Sequence, residues 1–515
     1  MLVYGATPAG VLAALGAAGE GASVALLDAR GWVGGMMSGG LAVSDIGTTT
    51  AVIGGRTRAF FDAVASHYGS STPLYNFEPH VAESILNSWL ANSTITVALS
   101  SRIASLSLAG KRVASAQLSN GSTLSARVLV DATYEGLLLP QAGVDFAWGR
   151  ESTAAFGESL AGVMPVPHPA WEPDHPFVAQ PQVWAGVEGR FANGSCCLPG
   201  VSATGPGPVG SADDAVQAFE FRTTMTTEQS NILRPWPRPE GYDRNTYLLT
   251  LNYIASHNIS TFQCLTGYGG LLPCTPRGAC TNKGDDNNHK AAQFIGLSRA
   301  FVAAAAANDW EGMESAWAAH RTAQLGLYFF LANDPAVPQS IRDSAYEIGL
   351  PLDEHVACGH FPCQLYIREA LRLQGDFVFT QREVLGDIAQ PDSMGRGAYS
   401  IDVMHVRLWR NESSGDLEVE GGMQAPSFLN ASNVPFQVPY RAFLPKASQV
   451  TNLLVPVALS SSHVGFNAVR LEPTWMTLGE SAGVAAARVA AADVDAAMLD
   501  IPSLQARLWE LGQVL

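Results

Sequence analysis

The chain has 515 residues, 47% of them hydrophobic and 15% charged, with a formal charge of −16. That length exceeds one compact core, so two packed domains are expected. The acidic balance argues against nucleic acid or anionic membrane as partners, and no apolar run reaches the roughly 20 residues of a membrane helix.

In chain order, Leu2-Val-Tyr is a short apolar strand running into the turn Gly5-Ala-Thr-Pro-Ala-Gly10, and an Ala/Gly-rich helix follows. A second apolar strand, 23–27, ends on Asp28, 18 residues after Gly10. This is the layout of a nucleotide-binding βαβ unit. Gly5 suits the tight turn, Gly10 suits close packing of helix on strand, and the helix N-terminus offers free N–H groups to a pyrophosphate. Thr7 stands where the middle glycine is usual, and its hydroxyl is within reach of a phosphate on this reading. A glycine turn in an unrelated α/β protein is the alternative. A glycine-rich connection, Gly31 to Gly40, follows. Residues 79–92 read as a helix with Val81, Ile85, Leu86, Trp89 and Leu90 on one face. Residues 95–131 read as short strands, with Asn120-Gly121 as a hairpin turn. Residues 151–290 are irregular and rich in Pro, Gly, Trp and Cys. Residues 291–332 read as helices, 433–470 as strand-like runs, notably 452–458, and 473–491 and 502–513 as helices.

Six Asn-X-Ser/Thr sequons, at Asn92, Asn120, Asn193, Asn258, Asn411 and Asn430, suggest a secreted, glycosylated chain, although such triplets also arise by chance. Cys264, Cys274 and Cys280 in one stretch and Cys358 and Cys363 in another are placed for short-range disulfides, whereas Cys196 and Cys197 are adjacent and poorly placed to bridge each other. Buried free thiols are the alternative. Met1 lies almost inside the first strand, so either a leader removed before this point or a trimmed start is expected.

Several segments together resemble one family. They are Gly5–Gly10, Gly34-Gly-Met-Met-Ser-Gly-Gly40, Phe77–Glu83, Val130-Asp-Ala-Thr-Tyr-Glu-Gly136, Gly149-Arg-Glu151, Gly326–Pro335 and Gln364–Glu369. Pro439-Tyr-Arg441, Leu444-Pro-Lys446, Ser462–Arg470, Glu472-Pro-Thr474 and Gly479-Glu-Ser-Ala-Gly483 complete the set. The chain resembles FAD-dependent oxidoreductases of the two-dinucleotide-binding, glutathione-reductase-like superfamily, within the bacterial and fungal group sometimes called xanthan lyase-like. The resemblance implies an α/β fold: a Rossmann-like FAD-binding domain from residues 1–150 and 385–515, with an inserted α+β substrate domain at 151–384. It implies FAD as cofactor. Gly5, Thr7, Ala9, Gly10, Asp28, Ala29 and Arg30 would hold the ADP half. Gly34, Gly35, Met36 and Gly39 would pass near the pyrophosphate, ribityl chain or flavin. Ala132 and Thr133 would lie at the adenosine side. Gly479, Ser481, Ala482 and Gly483 would set a second helix N-terminus near the flavin. Asp28 departs from the commoner Glu, and Leu137 from the acid that often follows the Tyr-Glu-Gly run.

A flavin accepts a hydride with little help, so the protein must position a donor carbon and take its proton. Histidine is the natural base. His463, just before the last long helix, is the first candidate, with a buried structural histidine as the alternative. Arg470 and Arg441 suit a substrate carboxylate, or pair with acids such as Glu472. Asp353-Glu354-His355, His360, Tyr366, Arg368, and His405 after Asp402 form a second group that faces the substrate on this reading; His355 and His405 are the further catalytic candidates. Their spacing matches no metal-ligand pattern, so no metal is expected. Cys358 and Cys363 read as a structural disulfide before a redox pair. No Cys-X-X-Cys motif follows the first βαβ unit, and no second complete Gly-X-Gly-X-X-Gly unit appears. Those absences favour an oxidase or dehydrogenase, reoxidised by oxygen or another acceptor, over a thiol-dependent reductase or an NADPH-driven monooxygenase. The leading expectation is hydride transfer from a small polar substrate, such as a sugar or polyol, to FAD. The alternatives are a flavin-dependent tailoring enzyme of secondary metabolism, a non-catalytic FAD-stabilised or glycan-binding protein, and a lyase.

Overall fold

The computed structural model describes residues 1–44, 49–166, 183–266, 270–271, 282–287, 295–385, 388–424 and 435–515. Five short strands, β1 (Leu2–Tyr4), β2 (Ala25–Leu27), β3 (Thr96–Ala98), β4 (Leu129–Asp131) and β5 (Leu453–Leu454), form one parallel sheet in the order β5-β4-β1-β2-β3. Leu2 lies opposite Ala25 on one side and Leu129 on the other, and Leu453 lies opposite Leu129. β1 and β4 are buried throughout, as expected of parallel strands covered on both faces. Since β5 comes from the last quarter of the chain, the two ends of the sequence build one sheet, and the Rossmann-like α/β expectation holds.

Helix α1 (Pro8–Gly19) starts where the sequence demands it: Thr7 caps it and Pro8 occupies its first turn. The side of α1 that meets α5 carries the small residues Ala9, Ala13 and Gly16, and this lets the long helix α5 (Glu472–Ala492) lie directly on it; α2 (Gly35–Gly39), α3 (Trp310–Asn333) and α4 (His463–Val469) enter below. A Cβ at Gly479 would overlap the carbonyl oxygen of Ala9, and one at Gly483 that of Ala13. Glycines four residues apart therefore form a groove in α5 that receives the α1 backbone.

The hairpin expected at Asn120-Gly121 joins strands Arg112–Leu118 and Thr123–Ser125. The expected helices after residue 290 are Ile295–Ala306 and α3, and the last helix is Ile501–Glu510. The strand-like reading of 433–470 needs correction. Phe436–Pro439 is a strand paired with Ser393–Gly397, but only Leu453–Leu454 of the 452–458 run joins the central sheet, and His463–Val469 is helix. Ser462 explains the switch, because its hydroxyl caps α4 by accepting from Gly465 N–H at 3.0 Å.

Cys358 and Cys363 are joined, as expected. The neighbours Cys196 and Cys197 place their sulfurs against each other. Cys264 is exposed, and Cys274, Cys280 and the sequon residue Asn430 lie outside the described residues. Asn92, Asn120, Asn193 and Asn258 are exposed, whereas Asn411 is half-buried with its amide on Glu418. Among the described residues no helix is long and apolar enough to cross a membrane.

Candidate cofactor and active site

The ends of β1, β2 and β4 meet at the start of α1. Gly5 has φ +103°, and a Cβ there would press on the Ala132–Thr133 peptide. Gly10 faces Gly5 O just as closely. Thr7 is not the free hydroxyl expected of it: its Oγ1 accepts from Gly10 N–H at 3.1 Å and donates to Ala132 O at 2.8 Å. The side chain is spent on capping α1 and tying it to β4. Asp28 accepts from Ala6 N–H at 2.5 Å and Arg30 N–H at 2.6 Å, and burial pushes its carboxyl up to about 6. Ala29 follows it at the rim, and Ala9 is buried under Gly479. The Arg30 guanidinium lies 3.9 Å from the Trp317 ring centroid and pairs with Glu314 at 2.7 Å, so α3 is fastened to this rim. Thr133 Oγ1 is engaged with Asp131 at 2.7 Å and with the Gly136 and Leu137 amides, which makes it a turn cap.

A line of contacts leads from this cradle to α5. Gly34 N–H donates to Ala6 O at 2.7 Å, in the left-handed backbone conformation that a glycine permits. Met36 N–H, in the first turn of α2, donates to the Tyr134 hydroxyl at 3.0 Å, and that hydroxyl donates to Glu472 Oε1. Gly35 packs on the Tyr134 hydroxyl and Gly39 on Gln364. Glu472 is the first residue of α5 and is buried; its Oε2 has no hydrogen-bond partner among the described residues. Burial, opposed only by the Tyr134 bond, pushes its carboxyl up to about 8. The helix therefore begins two turns before Gly479. Gly479 and Gly483 hold α1, Ser481 Oγ donates to Met394 O at 2.6 Å, and Ala482 is buried. This corrects the expectation that these four residues mark the helix start.

His463 opens α4 and is 1% exposed. Its Nδ1 lies 2.8 and 3.0 Å from the two Glu369 oxygens. Its Nε2 is buried with no partner among the described residues. Glu369 also accepts from Gln217 at 2.6 Å, from Asn467 at 3.2 Å and from Arg372. Burial pushes this carboxyl up, but the His463 and Arg372 charges and the hydrogen bonds outweigh it and hold it at about 2. An ionised carboxylate can only accept, so Nδ1 carries a hydrogen, and Nε2 is the ring nitrogen left to meet a ligand. Glu151 Oε2 fixes the backbone by accepting His463 N–H at 2.9 Å.

Arg470 belongs to this cluster but not as a substrate clamp. It donates to Asn467 Oδ1 at 3.0 Å, to the Tyr366 hydroxyl at 2.6 Å, and to Asp402 O and Oδ2 at 2.8 and 3.0 Å. Its planar fork is committed to holding the loop after α4. Arg441 likewise pairs with Asp392 and Gln390. His405 is buried beside Arg368; burial first, then that charge, holds its ring down at about 4. It adjoins Met404, whose N–H donates to Gln217 Oε1 at 2.9 Å, one step from Glu369. His355 belongs to a different cluster: its Nε2 is 3.1 Å from Thr224 Oγ1, and burial lowers it to about 4. In that cluster Glu78, His80 and Glu354 have the spacing of cation ligands. The Lys283 ammonium sits among its acids, 2.6 Å from Glu78, 2.8 Å from Asp353 and 2.9 Å from Glu354. A cavity of about 650 Å³ opens elsewhere, near Val201, Asp214, Leu297 and Leu408.

Sequence reasoning missed Glu369, Glu472 and Tyr134 as site residues. All three stand in the quoted motifs, but only the fold pairs Glu369 with His463 across 94 positions and Tyr134 with Glu472 across 338.

The glycine cradle, the acid at the end of β2 and the parallel sheet define a dinucleotide-binding α/β protein. The chain belongs to the FAD-dependent oxidoreductase family, whose model matches residues 1–508. It is an enzyme of that class, and FAD is its cofactor. Gly5, Gly10, Gly34 and Gly35 let the backbone pack closely here, since a Cβ would meet the Ala132–Thr133 peptide, Gly5 O, Ser38 or the Tyr134 ring, and this close packing sets the α1 N-terminus at the strand ends, where a pyrophosphate is bound in such folds. No curated protein matches the chain. Among solved structures it is similar to CabE, an aromatic hydroxylase from angucycline biosynthesis, at 20% identity over 29% of this chain and 34% of that one, TM-score 0.22. It is also similar to AlpK, at 21% identity over 30% and 34%, TM-score 0.22. THI4 of Thermovibrio ammonificans matches at 18% identity over 28% and 62%, TM-score 0.23. The chain thus spans about a third of CabE and AlpK.

Proposed function

We propose that the protein oxidises a small, uncharged hydroxyl-bearing substrate, such as a sugar or polyol, with His463 as the base. The observation that carries this is the buried Nε2 of His463, left without a partner while Nδ1 is anchored on Glu369. A buried polar atom without a partner costs about 1–3 kcal/mol, so a ligand hydroxyl there relieves a deficit. FAD supplies the hydride acceptor. His463 takes the hydroxyl proton at Nε2, and Glu369 stabilises the imidazolium that results. Glu151 and Asn467 hold the His463 backbone in place. The arginines nearest the base, Arg372 and Arg470, each carry an acidic partner, and this favours a neutral substrate over a carboxylate. Oxygen or a separate carrier takes the electrons onward.

The test is anaerobic mixing of the FAD-loaded protein with a panel of sugars, polyols and organic acids. A neutral polyhydroxyl compound should bleach the oxidised flavin, and His463→Gln should slow that bleaching roughly 10²–10⁴-fold with FAD retained. Bleaching by carboxylates alone, or an unslowed variant, contradicts the proposal.

A further inference from the structure

We propose that Glu472, as an uncharged carboxylic acid held by Tyr134, donates a hydrogen bond to FAD at the start of α5, toward the half of the cofactor remote from the adenosine. The proposal rests on the family's cofactor and not on the choice of substrate.

Helix α5 has 21 residues, and its first turn is buried with no side-chain cap. The free N–H groups of a buried helix start need a partner, from the protein or from a ligand. Glu472 is 6% exposed, and its Oε2 is buried with no partner among the described residues; the indole nitrogen of Trp475, less than a turn further on, is in the same position. Two unpartnered polar groups at one helix start indicate a ligand that meets them.

The direction of the hydrogen bonds fixes where the acid's proton is. The Tyr134 oxygen already accepts from Met36 N–H, so its own hydrogen points to Glu472 Oε1. The carboxyl proton is then on Oε2, the atom with no partner. Glu472 forms no ion pair among the described residues, and the Tyr134 hydrogen bond is the one side-chain contact that opposes the effect of burial on its charge. The upward shift of its carboxyl to about 8 agrees with a neutral acid at pH 7. The line from Ala6 through Gly34, Met36 and Tyr134 joins the nucleotide cradle to this helix start.

The experiment measures FAD binding to the apoprotein of the full chain by fluorescence titration at pH 6.5, together with apoprotein melting. Glu472→Gln, which keeps a neutral donor, should bind FAD within roughly threefold of the unaltered protein. Glu472→Leu should bind at least roughly tenfold more weakly, while the apoprotein melts at the same temperature or higher because an unpartnered acid has been removed. Tyr134→Phe should fall between the two. Unweakened binding by Glu472→Leu overturns the proposal, as does a Gln variant as weak as the Leu variant. A Leu variant whose apoprotein melts lower while its FAD affinity holds would show a purely structural role and also overturn it. Because the readout is binding, none of these results bears on His463 as base.

Discussion

At His463 the chemistry depends on which ring nitrogen carries the hydrogen, and Glu369 decides this. Glu369→Gln keeps the shape but replaces a pure acceptor with a group that can also donate, so both ring tautomers become available. The expected outcome is a fall in flavin reduction by substrate of roughly 10²-fold or more, with FAD binding unchanged, measured by anaerobic stopped flow. His463 was legible in the sequence because histidine is the side chain that titrates near neutral pH and it directly precedes the last long helix. Glu369 was not, because its role exists only once Gln217, Arg372 and Asn467 converge on it. Arg470 shows the opposite error: an arginine in a motif reads as an anion clamp, but its fork is filled by Asp402, Asn467 and Tyr366.

At the scale of elements, the seam between α1 and α5 sets where the cofactor cradle sits. The sequence shows small residues in both helices but not that they face each other. Composition alone allows a glycine to serve a ligand or a neighbouring helix, and here Gly479 and Gly483 serve the helix. Gly479→Ala would push α5 off the Ala9 carbonyl. Overpacking of this kind costs typically 1–3 kcal/mol, and it acts directly under the first turn of α1. The expected result is a lower melting temperature and weaker FAD retention together, checked by thermal melts with and without FAD. The parallel sheet and the long helices were legible because buried apolar runs and 3.6-residue periodicity report burial directly. Helix α4 was not, since seven residues following a strand-like apolar run carry too short a period to separate helix from strand, and the Ser462 cap is the local signal that decides it.

For the whole molecule, buried acids set the loss of stability at and above neutrality, while buried His320, His355 and His405, held at about 4, favour the folded state as pH rises from about 4 to about 6.5. Burial raises Asp28 and Asp131 to about 6, Glu135 to about 7 and Glu472 to about 8. A carboxyl whose folded value lies above its unfolded value binds more protons when folded, so these four lose stability as pH rises from about 4 to about 8. Glu369 works the other way. Its folded value of about 2 lies below the unfolded value, and its contribution is lost as pH falls from about 4 to 2. Apoprotein melts across pH 3–9 should therefore show highest stability on the acid side of neutrality; a maximum at pH 8–9 contradicts this assignment of charge states.

The most direct test of the central claim is the visible spectrum of the FAD-loaded protein under anaerobic conditions, before and after a neutral polyol or sugar is added to the unaltered chain and to His463→Gln in parallel. An oxidised flavin spectrum is expected in both, bleached rapidly only in the unaltered chain. A protein that takes up no FAD, or a His463→Gln variant that bleaches at the unaltered rate, would contradict it.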